Sequence, residues 1–171
     1  LTHGAGAVLA IVGTVFLLIR AFTMGTAWQV VSFFIYGFSM IALYTMSTLY
    51  HSVRSGVIGR VVLRKLDHTM IYILIAGSYT PICLIALNGP WGYSLLPVIW
   101  TTGIGGIVLN MLWANPPRKL TAGLYIGMGW MALIAIYPLV KILPPEGIFW
   151  LVSGGVLYTI GGVMYAAKWP L

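Results

Sequence analysis

The segment HTMIYILIAGSYTPICLIAL, residues 68–87, decides the fold. It contains no Asp, Glu, Lys or Arg, and as a helix rising ~1.5 Å per residue it is long enough to cross about 30 Å of hydrocarbon. Its apolar residues run on continuously and do not alternate, which fits a membrane helix and not a strand of a membrane barrel. Five further runs of the same kind surround it: Gly4 to Phe22, Ala27 to Tyr50, Tyr93 to Trp113, Leu120 to Val140, and Ile148 to Ala167. Breakers separate several of them: Asn88-Gly89-Pro90, Asn115-Pro116-Pro117 and Pro144-Pro145 mark short turns between helices. The expectation is an all-α, polytopic transmembrane helix bundle with six spans, forming a single domain over residues 1–171.

Composition excludes the alternatives. Hydrophobic residues make up 60% of the chain and charged residues 6%, with a mean hydropathy of +0.99. A soluble domain carries about a quarter charged residues, so this chain cannot build a water-facing surface. The formal charge of +7 does not indicate nucleic acid, because the basic residues lie singly or in pairs between apolar runs and form no stripe. They read instead as topology markers first, with lipid-headgroup contact as the second reading for Arg64 and Lys65. Arg54, Arg60, Arg64, Lys65, Arg118, Lys119 and Lys168 fall on one side of the bundle, against Arg20 and Lys141 on the other. Basic loops stay cytoplasmic, which predicts a cytoplasmic N-terminus, cytoplasmic loops at Ser52 to Lys65 and Ala114 to Lys119, and a multi-pass protein of the inner (plasma) membrane.

Other features read as packing. Trp28, Trp91, Tyr93, Trp113, Trp150 and Trp169 fall at span ends, where amphipathic rings suit the interface, and Trp100 and Trp130 fall mid-span as buried packing. Gly123 and Gly127 form a GxxxG pair in the fifth run, and Gly161 and Gly162 adjoin in the sixth. Close packing inside the bundle is the favoured role for the pair, with a dimer face as the alternative. Pro81 would kink the third helix or help end it. Cys83 has no second cysteine to pair with and reads as core.

Few residues remain for chemistry. The chain has two acidic residues, Asp67 and Glu146, and three histidines, His3, His51 and His68. Topology puts Glu146 on the far side and the other four near the cytoplasmic face. Ser47 and His51 are four apart on the second helix and share a face. A plainer reading makes His51 interfacial and bonds Ser47 to its own backbone. For Asp67 the plainer reading is a helix start, where a carboxylate caps free amides and complements the dipole. Asp67 and His68, being adjacent, diverge by about 100° and should hardly face one site.

The combination STLYHS (47–52) followed by RKLDHTMIYILIAGSYTP (64–81), with GGVLYTIGGVMYAAKWP (154–170) and the opening THGAGA (2–7), resembles the bacterial hemolysin III family. That family belongs with the progestin and adipoQ receptors and is more distantly similar to alkaline ceramidases. The resemblance implies a seven-helix bundle with a cytoplasmic N-terminus. It also implies a Ser-x-x-x-His ending the second helix, an Asp at the start of the third and a His-x-x-x-His in the seventh. The first two elements fall on Ser47, His51 and Asp67, and the third has no counterpart within residues 1–171. The chain is therefore expected to be truncated at both ends, lacking the seventh helix and an acidic segment before Thr2.

By the same resemblance the cofactor is zinc, with His51 as a metal ligand in the full-length protein and weak or no binding by this chain alone. Three histidines and a water would give an open catalytic site. Asp67 would then hold or deprotonate the water and Ser47 would donate to the developing oxyanion. The implied function is zinc-dependent hydrolysis of a membrane lipid amide or ester, with lipid as the partner and no soluble partner. A structural zinc in a receptor-like or stress-responsive protein would use the same ligands without turnover. A membrane-permeabilising cytolysin ranks lower, because a pore needs a polar lining and these spans carry no charge at mid-membrane.

Overall fold

A computed structural model describes residues 2–54, 56–113 and 115–169. The chain forms α1 (Thr2–Met24), α2 (Ala27–Ser52), α3 (Val57–Pro81), α4 (Pro90–Leu112), α5 (Arg118–Trp130), α6 (Ile136–Ile142) and α7 (Pro145–Ala167). A π-helical stretch, Ile82–Ala86, prolongs α3, and a 3₁₀ stretch, Met131–Ala135, joins α5 to α6. These elements make six segments long and apolar enough to cross a membrane, and no strand occurs among the described residues. Residues 55, 114, 170 and 171 lie outside that description, so the loops expected at Ser52 to Lys65 and Ala114 to Lys119, and the last motif, are seen only in part.

The bundle is built around α3, which packs against α2, α4 and α5, while α1 packs chiefly on α2 and α7 chiefly on α5. Buried Tyr72, Ile75, Tyr79 and Cys83 of this central span meet Ile99 of α4 and Tyr125 and Met128 of α5 in one core. In lipid, helix approach is limited by side-chain bulk and not driven by water, and two glycines set the distance here. A Cβ on Gly106 would run into the Tyr72 ring, and one on Gly77 would strike the Ser39 side chain.

The third helix departs from expectation. Ser52 to Lys65 was expected to be a loop, yet α3 already begins at Val57, after an N-cap at Gly56. Val57, Ile58, Val61, Val62 and Leu63 supply enough apolar surface to carry a helix that also bears arginines. The full span, Val57–Ala86, has 30 residues, roughly 45 Å of helix, so its first turns reach past the hydrocarbon. Asp67 is thus the eleventh residue of the helix, counted from Val57. Its backbone lies well beyond the first turn, and the capping role is excluded.

Two smaller readings are corrected and a third is refined. Gly123 and Gly127 do not pack inside the bundle: both are exposed, with no described atom within 4 Å of where a Cβ would stand, because α7 meets the other side of α5. Gly162 does make the close approach, against Ile126, whereas Gly161 does not. Trp130 is 39% exposed, its indole Nε1 donating to Thr159 Oγ1 at 2.9 Å. The α-helix ends at Pro81, as expected, but the span runs on through Ala86. Lacking an N–H, Pro81 precedes a register change in which Leu87 N bonds to Ile82 O at 2.8 Å.

The fifth span is interrupted ahead of Pro138. Pro138 withholds an amide and its ring crowds the carbonyl four residues back, and the preceding turn tightens to 3₁₀ over Met131–Ala135. Tyr79 of α3 satisfies the loosened backbone. Its hydroxyl accepts from Ala132 N at 2.8 Å and lies 2.6 Å from the Gly129 carbonyl, to which it donates.

Candidate functional site

At the basic end of the bundle a cavity of about 880 Å³ opens between the helices. Helical periodicity explains which side chains reach it. On α2, Leu43, Ser47, Tyr50 and His51 face it, at spacings of four, seven and eight residues that define one stripe. On α3 the facing residues are Arg64, Lys65, Asp67, His68, Ile71 and Leu74. Opposite them, α7 presents Tyr158, Gly161, Gly162 and Tyr165, and α5 presents Arg118, Thr121 and Tyr125. His3 of α1 closes one side. The Gly161-Gly162 pair leaves that wall without side-chain bulk, so it contributes to the volume.

Ser47, His51 and Asp67 all line this one cavity. Ser47 is buried at 6% exposure, His51 is exposed and Asp67 is half-buried. Thr48, Ser39 and Ser32 bond to carbonyls of their own helix, whereas Ser47 makes no such bond among the described residues. Its hydroxyl therefore stays available to the cavity.

His68 lines the cavity beside Asp67, contrary to the expectation that adjacent residues would diverge. A cavity lined from six helices touches an arc of α3 wide enough to include both positions. The His68 ring meets Tyr165 edge-on at 5.9 Å between centroids, and the His68 carbonyl accepts from the Tyr125 hydroxyl at 2.9 Å. His3, for which the resemblance implied no role, stacks on His51 with centroids 5.4 Å apart and planes 12° from parallel. Tyr50 meets the His51 ring edge-on at 4.9 Å.

Several lining residues were not anticipated from sequence. Asn110 is 2% exposed and its Nδ2 donates to Lys65 O at 3.0 Å and Thr69 Oγ1 at 3.1 Å, tying α4 to α3. Its signal was a lone carboxamide in an otherwise apolar run. Lys65 Nζ donates to the Met111 carbonyl at 2.8 Å, satisfying an orphan group at the end of α4. Arg64 Nη2 donates to Asn115 Oδ1 at 3.1 Å. Tyr158 and Tyr165 bracket the glycine pair at a seven-residue spacing that could have been read as one face.

The described residues include no group of three or more His, Cys, Asp or Glu placed to hold a metal ion. His3 and His51 offer two neighbouring imidazoles, one fewer than a catalytic zinc ordinarily takes from protein. The donor set within this chain therefore does not fit a complete zinc site.

Comparison with known proteins agrees with the architecture. The profile described as "Haemolysin-III related" matches residues 1–171. Over 165 residues the chain is 44% identical to Hemolysin-3 of Bacillus cereus, covering 96% of this chain and 75% of that protein. It is 42% identical over 168 residues to the Hemolysin-3 homolog of Bacillus subtilis (strain 168), covering 98% and 78%. The Homo sapiens monocyte to macrophage differentiation factor is more distant, 28% identical over 171 residues, with 96% and 68% covered. The chain is a polytopic membrane protein that belongs to the haemolysin-III related family.

Proposed function

We propose that this protein hydrolyses an amide or ester of a membrane lipid at the cavity between α2, α3, α5 and α7, in the plasma membrane, with the N-terminus and the cavity mouth on the cytoplasmic side. The observation that carries this reading is the gathering of Ser47, His51 and Asp67 on one cavity whose other lining includes Leu43, Ile71 and Leu74. A polar end that opens among basic residues and an apolar stretch further along suit a lipid whose carbonyl stays near the headgroup.

Asp67 carries one of the chain's two carboxylates and has no helix to cap. As a general base it would take a proton from water attacking the carbonyl. The free hydroxyl of Ser47 would donate a hydrogen bond to the developing oxyanion. Asp67, having taken that proton, would then hand it to the leaving group. Zinc, where bound, would polarise the carbonyl and acidify water. No step above depends on it, since His51 would supply only one ligand and the others would come from outside residues 1–171.

Pore-forming lysis, suggested by the names of the Bacillus relatives, is the weaker reading because the ionisable lining gathers at one end of the bundle. The test is purified protein in neutral vesicles containing a ceramide-like amide and a matched ester, with fatty acid release followed by mass spectrometry. Release that disappears in Asp67→Asn supports the proposal. Release of trapped dye without fatty acid would replace it with the lytic reading.

A further inference from the structure

The charge in the cavity is unbalanced. Arg64, Lys65 and Arg118 line it against the single carboxylate of Asp67, and the chain's other carboxylate, Glu146, begins α7 at the opposite end. Residues that serve only as topology markers belong on a solvated surface, yet Arg64 and Lys65 are half-buried. The partners found for them are neutral: a carboxamide oxygen for Arg64 and a backbone carbonyl for Lys65. A guanidinium has five N–H donors, so the bond to Asn115 holds Arg64 in place and leaves most of its donors unused. Arg118 opens α5 directly behind Pro116 and Pro117, where the free amides of a helix start add positive potential beside its side chain. Arg118 is exposed at the rim while Arg64 is half-buried, so the mouth carries more positive charge than Asp67 alone balances, and a phosphate matches the planar fork of arginine.

We propose that the mouth of this cavity is a phosphate-binding site, with Arg64 and Arg118 as the paired recognition groups, and that the lipid it accepts is a phosphate-bearing one. Lys65 contributes field, its ammonium being committed to α4. The proposal rests on the same cavity as the proposed hydrolase but requires binding only.

The test uses the whole protein in phosphatidylcholine nanodiscs, with retention of added phosphatidic acid measured by native mass spectrometry. The wild type should retain phosphatidic acid over phosphatidylcholine. Arg64→Gln with Arg118→Gln should weaken retention by about tenfold or more, the size expected for losing charge-assisted hydrogen bonds. Arg64→Lys should fall between, because charge survives and the fork does not. Lys119→Gln removes an exposed charge from the same end outside the cavity lining and should bind as wild type. Equal loss in Lys119→Gln and the double variant would reduce the effect to general surface attraction and overturn the proposal, as would unchanged retention in the double variant. Glycerol 3-phosphate provides the second arm: if it competes with the lipid at similar concentration and shows the same arginine dependence, the site stands and its natural ligand is a soluble phosphate. Phosphate binding without hydrolysis would leave this site intact and remove the enzyme reading. Hydrolysis of a neutral amide without arginine-dependent phosphate retention would do the reverse.

Discussion

The hydroxyl of Tyr79 sits 2.8 Å from the backbone nitrogen of Ala132 and accepts its hydrogen bond, while donating to the carbonyl of Gly129 at 2.6 Å. One side chain of α3 thus replaces the backbone pairing lost where the fifth span changes from α to 3₁₀. In hydrocarbon an unpaired amide has no water to turn to. Tyr79→Phe keeps the ring and removes both bonds, so it should lower stability by about 1–2 kcal/mol. Thermal unfolding in mild detergent, followed by tryptophan fluorescence, would check this, and an unchanged midpoint would mean the break is held by packing alone.

The orientation proposed from the basic residues is open to labelling. Gly56 is exposed at the N-cap of α3, and Asn88 is exposed in the turn before α4. Gly56→Cys should react with an impermeant maleimide only after cells are broken, and Asn88→Cys should react in intact cells. Asn88 is a better reporter than Gly89, whose φ of 138° would strain any side chain. The opposite pattern would turn the cavity to the outside and remove the inner leaflet as its source of lipid.

If Asp67 acts as a base, its loss should damage turnover and spare the fold. Asp67→Asn should reduce the hydrolytic rate by about 10²- to 10⁴-fold, and Ser47→Ala by about 10²-fold or more, with little change in thermal midpoint for either. The position of Asp67 in the third turn of α3 makes this informative, because no helix cap is removed with the charge. A large fall in the midpoint, with activity lost in proportion to unfolded protein, would assign Asp67 a structural role.

The spans were legible because twenty-residue apolar runs admit no other fold in lipid, and the lining of the candidate cavity was legible where periodicity applied, as with Ser47 and His51. The start of α3 was not, since Arg60, Arg64 and Lys65 look like loop residues until their apolar neighbours are weighed with them. Cavity width was also hidden. Spacing gives the angle between Asp67 and His68, but only the arrangement of α2, α5 and α7 determines how much of that angle one cavity covers. Tyr79 was invisible for a related reason: its partners are backbone groups about fifty residues away, exposed by a break that proline position hinted at without locating.

The stacked rings of His3 and His51 lead to the last prediction, which concerns zinc. Two imidazoles side by side would bind a divalent ion weakly, because a closed or catalytic site draws three or four ligands from protein and owes its affinity to having all of them placed at once. Residues 1–171 purified alone should therefore hold well under one equivalent of zinc after dialysis, measured by atomic absorption. A longer form of the protein that adds further histidines to this end of the bundle should hold about one, and His51→Ala should abolish it. His3→Ala should leave the stoichiometry intact, since His3 packs on His51 and has no place in the ligand set the resemblance implies. Insertion should survive both changes, because it depends on span hydrophobicity. Stoichiometric zinc in residues 1–171, lost in His3→Ala and His51→Ala alike, would instead make the stacked pair the core of a metal site belonging to this chain.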